Sequence, residues 1–148
     1  MIRLRVPGAL KYRDLVVRCV AAACKLVGSG DGGSGPQRLN REFDDQVVSA
    51  FSEAFNNAAL HSYDDHAAGE VEIQIELRAD SITIRLLDYG KGFDIADVPA
   101  PDLDALPESG LGIFIIKSFM DEVTYEAGAP NVLSMTKSIR SASNGGGA

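Results

Sequence analysis

Residues 51–63 read FSEAFNNAALHSY. Val47, Phe51, Ala54, Phe55 and Ala58 fall on one side of a helical wheel, the stripe expected of a helix laid on a core. Glu53 and Asn57 sit together on an adjacent flank, about 40° apart, while Asn56 is turned from Asn57 by about 100°. A carboxylate and a carboxamide one turn apart beside a core admit two readings. One is a solvated helix flank; the other is a base poised next to an oxygen ligand for a metal. The pair alone does not separate them.

Two further stretches bear on the choice. The strand-like run 81–87 ends in Asp88-Tyr89-Gly90-Lys91-Gly92-Phe93, a D-x-G-x-G pattern. Glycines at a strand end let a ligand approach the main chain, and an aspartate there can accept a hydrogen bond from an amine. Further on, Glu108-Ser109-Gly110-Leu111-Gly112-Ile113 opens directly into the apolar run LGIFIIKSFM. Free N–H groups and the helix dipole at such a terminus favour an anion. Each pattern alone is also compatible with an ordinary turn or a helix cap.

The surrounding chain gives these motifs a frame. Residues 2–6 (IRLRV) alternate apolar and basic, as a half-buried strand does. Between Tyr12 and Val27, residues Leu15, Val16, Cys19, Val20, Ala23, Leu26 and Val27 recur at helical spacing. A glycine-rich loop, 28–39, breaks that helix, and Asn40 is a plausible N-cap for the next, which the pattern carries to His61. VEIQIEL (71–77) and SITIRLLD (81–88) each alternate with period two around Ala79-Asp80, the pattern of an antiparallel hairpin. A third helix over 111–120 and strands over 123–126 and 132–139 follow. The fold class is α+β: a two-layer sandwich, its sheet mixed but mostly antiparallel, with helices on one face. The other face stays wet, which suits Glu72, Gln74, Glu76, Thr83 and Arg85. The domain spans 1–140, and SASNGGGA (141–148) reads as a disordered tail.

Composition excludes several classes. The 148 residues carry a net charge of −7, against the basic patch that a nucleic-acid surface needs. Apolar runs fall short of a membrane span, and charges interrupt the N-terminal stretch where a signal peptide would be apolar. Cys19 and Cys24 are five positions apart and turned to different faces, so they read as reduced thiols of a cytoplasmic protein.

Taken in order, E-A-x-x-N on a helix, D-x-G-x-G at a strand end, a loop of lid length and S-G-x-G opening a helix resemble the GHKL ATPase superfamily with its Bergerat ATP-binding fold. Within it, the size and the phrase GLGIFIIKSFMDEV are similar to the anti-sigma-factor serine kinases, over roughly Asn40 to Val123. The resemblance implies ATP and Mg²⁺ as cofactors. It implies Glu53 as general base, Asn57 as the Mg²⁺ ligand and Asp88 as acceptor of the adenine amino group. Gly90 and Gly92 would keep that pocket open, and Ser109, Gly110, Leu111 and Gly112 would wrap the phosphates. It also implies a sigma factor and an anti-anti-sigma antagonist as partners, with a homodimer as precedent and no direct contact with nucleic acid or membrane.

Two departures qualify the resemblance. The segment 94–109 holds five acids and no Lys or Arg, where such kinases carry a cation for the γ-phosphate; Lys91 and Lys117 are the nearby substitutes. The Gly-Thr expected before the last strand is replaced by Gly128-Ala-Pro-Asn131. Three functions stay open: an ATP-dependent serine/threonine kinase acting on an antagonist protein, a nucleotide-binding interaction module without transfer, and the ATP-binding domain of a sensor histidine kinase. The third is disfavoured, since no helix with a phospho-accepting His and no membrane segment precedes the domain.

Overall fold

Alternation in the strands separates two chemistries, and the sheet takes its orientation from that. The computed structural model describes residues 1–27, 41–59, 69–90 and 108–139. In chain order the elements are β1 (Ile2–Pro7), a short 3₁₀ turn (Leu10–Tyr12), α1 (Arg13–Cys24), α2 (Arg41–Asn57), β2 (Glu70–Leu77), β3 (Ser81–Asp88), α3 (Glu108–Phe119), β4 (Glu122–Glu126) and β5 (Asn131–Ser138). The strands form one sheet in the order β1-β2-β3-β5-β4. Among the described residues all four ladders are antiparallel, the limiting case of the mostly antiparallel sheet expected.

The register sets apolar residues opposite one another on the inner face. Ile75 faces Ile84 and Ile73 faces Leu86 across β2 and β3; Ile84 and Leu86 then face Met135 and Leu133 of β5. All six are buried, together with Val71 and Ile82. A one-residue slip would turn this set out to water, so burial itself fixes the register. The outer face carries Glu72, Gln74, Glu76, Thr83 and Arg85, as the sequence indicates. Glu72 takes hydrogen bonds from Arg5 (3.1 Å) and Gln74 (2.6 Å), and the Thr83 and Thr136 hydroxyls meet at 2.9 Å.

The helices lie on the apolar side. The α2 stripe is buried as its spacing predicts: Val47, Phe51, Ala54, Phe55 and Ala58 are all at most 4 % exposed. Asn56 points elsewhere and accepts a 3.0 Å hydrogen bond from Arg13 on α1. On α1 the buried set is Val16, Val20, Ala23 and Cys24, with Val27 just beyond the helix, while Leu15 and Leu26 remain 56 % and 54 % exposed. Those two correct the sequence expectation: Leu15 is turned about 100° from the buried Val16 on α1, and Leu26 follows the end of that helix at Cys24. Lys25, at the end of α1, donates to the Asp44 carboxylate of α2 at 2.6 Å.

Helix α3 starts at Glu108, three residues before the start expected, so Ser109-Gly110-Leu111-Gly112 forms its opening turns. Its far end is closed by Lys137 of β5. The Lys137 side chain is on the inner face and buried, and its Nζ donates to the Phe119 carbonyl at 2.7 Å. A cation on the last unpaired carbonyls of a helix suits both the hydrogen bond and the dipole. The expected N-cap Asn40, the helix end at His61, the loop 28–39 and the tail 141–148 lie outside the described residues.

Candidate functional site

Helix α2 brings Glu53 and Asn57 to the opening of α3. A Cβ built on Gly112 would stand 3.1 Å from Glu53 Oε2, 3.4 Å from Asn57 Oδ1 and 3.6 Å from Asn57 Nδ2. The carboxylate and the carboxamide therefore converge on one point of the α3 backbone. Only glycine lets the two helices meet there without displacing the polar pair. The apolar stripe behind, Phe51, Ala54 and Phe55, fixes the helix that carries both groups. The two groups are half-buried and side by side.

A second cluster sits at the end of β3. Asp88 continues the inward alternation of Ile84 and Leu86 and is only 4 % exposed, a carboxylate at the rim of an apolar core. Its Oδ1 accepts from the Gly90 N–H at 3.0 Å and from Asn131 Nδ2 at 2.9 Å. Asn131, 1 % exposed, is the register partner of Asp88 across the β3–β5 ladder. Its amide also donates to the Gly90 carbonyl (2.8 Å), and its Oδ1 accepts from the Gly128 N–H (2.9 Å). Among the described residues no donor reaches Asp88 Oδ2. A buried carboxylate oxygen without a donor is costly, so that oxygen is suited to a ligand N–H.

The residues singled out in the sequence thus divide. Glu53, Asn57 and Gly112 come together, and Asp88 and Gly90 come together in a separate cluster. Ser109, Gly110 and Leu111 are placed in the opening turns of α3, where the first backbone N–H groups of a helix have no partner within it. Lys91, Gly92 and residues 94–107 of the acidic segment lie outside the described residues. Lys117 is exposed and stands five residues along α3 from Gly112, about 140° around the helix, away from the Glu53 and Asn57 side. Asn131 is absent from the sequence-derived set; the signal that could have found it is an asparagine opening a strand whose partner ends in aspartate.

The donors available for a cation are oxygens. Asn57 Oδ1 beside a carboxylate suits a hard ion that completes its shell with water and phosphate. Among the described residues no group of three or more His, Cys, Asp or Glu side chains gathers to hold an ion by itself. Also among the described residues, no helix is long and apolar enough to cross a membrane.

Residues 34–137 match the histidine kinase-like ATPase domain family. The chain is 31 % identical to the serine-protein kinase RsbW of Staphylococcus aureus, strains JH9 and Newman among them, over 94 % of its own length and 87 % of theirs. In structure it is similar to the histidine kinase domain of the Erythrobacter litoralis EL346 blue-light activated histidine kinase. The TM-score is 0.54 at 16 % identity, covering 90 % of this chain and 62 % of that one, so the chain spans less than two thirds of that domain. At that identity the likeness concerns the fold.

Proposed function

We propose a function for this chain from one premise: it belongs to the histidine kinase-like ATPase family. Its activity is that of an ATP-dependent serine kinase of the anti-sigma type. It phosphorylates an anti-anti-sigma antagonist protein and sequesters a sigma factor, both in the cytoplasm. The observation that carries this reading is the convergence of Glu53 Oε2 and Asn57 Oδ1 on Gly112, at 3.1 and 3.4 Å from the point a Cβ would occupy there. A base and an oxygen ligand then face the helix start where phosphates would lie.

In this reading the adenine amino group donates to Asp88 Oδ2, with Gly90 and Gly92 leaving room for the ring. Backbone N–H groups of Ser109, Gly110 and Leu111 in the first turn of α3 meet the phosphates, favoured by the helix dipole, while Gly112, the fifth residue, leaves room for Glu53 and Asn57. Asn57 would hold Mg²⁺, which when bound supplies positive charge against the phosphate oxygens. Glu53 takes the proton from the antagonist's serine hydroxyl. The hydroxyl oxygen bonds to the γ-phosphorus, the bond from that phosphorus to the β–γ bridging oxygen breaks, and ADP leaves with the electron pair. Little covalent work falls to the protein, so positioning and electrostatics decide the rate.

One observation favours a second reading. Segment 94–109 holds five acids and no Lys or Arg, and Lys117 is turned away from Gly112, so neither place supplies a cation for the γ-phosphate. A nucleotide-binding interaction module that lacks transfer would tolerate this. Incubation with γ-labelled ATP, Mg²⁺ and a serine-bearing antagonist protein separates the two. Label on the antagonist serine is expected; ATP binding with no label on any antagonist would leave the module.

A further inference from the structure

We propose that Asn131 is a positioning residue for base recognition: its carboxamide holds Asp88 so that Oδ1 belongs to the protein and Oδ2 to the amino group of the purine. This rests on the adenine-nucleotide reading above. The orientation of the amide follows from its neighbours. Nδ2 faces two acceptors, Asp88 Oδ1 at 2.9 Å and the Gly90 carbonyl at 2.8 Å, while Oδ1 faces the Gly128 N–H at 2.9 Å. A flipped amide would set oxygen against a carboxylate and a carbonyl, and nitrogen against a donor.

Both amide hydrogens and the carbonyl are used, and the group is 1 % exposed, so Asn131 has no freedom to turn. It ties three segments together: the end of β3, the turn at Gly90 and the turn at Gly128. With Gly90 N–H also on Oδ1 at 3.0 Å, that oxygen accepts two protein donors. A carboxylate gripped by one oxygen cannot rotate to offer the other in a new direction. Its free oxygen then discriminates: adenine presents an N–H₂ there, a 6-unsubstituted purine presents nothing, and guanine presents a repelled carbonyl. Without Asn131 only the Gly90 N–H holds Oδ1, and the plane of the carboxylate is free to swing away from the purine.

The test is a ratio of dissociation constants on the full chain, for ADP and for purine riboside 5′-diphosphate, which has hydrogen in place of the amino group. The wild type should prefer ADP by about 10- to 100-fold, the range for a hydrogen bond to a charged group. Asn131→Leu keeps the shape and removes the donors, so the preference should fall to within a few-fold while affinity for the analogue barely changes. Asn131→Asp keeps the acceptor for Gly128 N–H and sets a charge against Asp88. It should lose the preference as well, and it serves where Asn131→Leu shows no cooperative melting. A purely structural role predicts that both nucleotides weaken together; an unchanged ratio in the folded variants overturns the proposal alone. A wild type that binds neither nucleotide, or both equally, removes the adenine reading and this proposal with it.

Discussion

Glu53 and Gly112 are fitted to each other: a methyl group on residue 112 would stand 3.1 Å from the Glu53 Oε2 atom, tighter than side chains ordinarily pack. Alanine is favoured over glycine inside a helix by about 1 kcal/mol, so Gly112→Ala should leave thermal stability unchanged or raised. The carboxylate, however, must yield by a few tenths of an ångström. Transfer to the antagonist should then fall by about tenfold, since small displacements of a reacting group are expensive. Unchanged labelling kinetics in Gly112→Ala would separate Glu53 from the chemistry.

Glu53→Gln keeps the shape and removes the carboxylate proposed as general base. Phosphoryl transfer should drop by about 10²- to 10⁴-fold, while ATP affinity and partner binding persist. Single-turnover labelling alongside calorimetry reads both quantities. A variant that still labels its antagonist at the wild-type rate would rule out general-base catalysis by this residue.

Asp88→Asn replaces a buried acceptor that has one oxygen to spare with a group that presents a donor or a neutral acceptor. Affinity for ADP should weaken by about 1.5–3 kcal/mol. Isothermal calorimetry at one Mg²⁺ concentration checks this, and equal affinity would displace adenine from this end of β3.

Acid should act through the open face of the sheet. Hydrogen bonds from Gln74 and then Arg5 hold the Glu72 carboxyl below its ordinary value of 4.5, and Arg78 does the same for Glu76. Both folded values are depressed, so around pH 4 the folded chain binds fewer protons than the unfolded one. This contribution is complete above about pH 4.5 and is lost as pH falls through the lowered folded values. Both pairs face water, so the contribution is small. Urea midpoints of a Glu72→Gln/Glu76→Gln variant should show a shallower decline than wild type between about pH 5 and pH 3. Parallel curves would mean that these hydrogen bonds do not persist in solution.

Legibility in the sequence followed the range of the interactions. The β2–β3 hairpin, the buried stripe of α2 and the wet face around Gln74 and Arg85 are local periodicities, and the structure keeps them. The pairing of Glu53 with Asn57 is likewise one helical turn of geometry. Leu15 departs from the pattern because periodicity marks a stripe without saying how wide its cover is, and Leu26 because the helix stops at Cys24, short of the apolar run. Lys137 shows the reverse: its alternation with Leu133 and Met135 points inward, and only the end of α3 explains a buried lysine there. Asn131 escaped the sequence reading for a related reason: its pairing with Asp88 is set by the β3–β5 register, so its signal, an asparagine opening a strand, carries meaning only once that register is known.

The distance along the chain between Asp88 and Asn131 also has a temporal meaning. The two are 43 positions apart, and α3 and β4 must be made before β5 can pair with β3. During synthesis, Glu53, Asn57 and Asp88 all emerge before Asn131, while the cluster proposed to hold the purine is still half built. Closing such a long loop comes late, after the β2–β3 hairpin has had time to form. A nascent or truncated chain ending at Glu126 should therefore gain no protection from ADP against proteolysis, whereas the finished chain gains stability from every molecule it binds. Protection of the truncated chain would show that the pocket closes without its last strand. Otherwise nucleotide binding becomes a report that β5 has paired with β3, and a chain that lacks this strand is left unprotected.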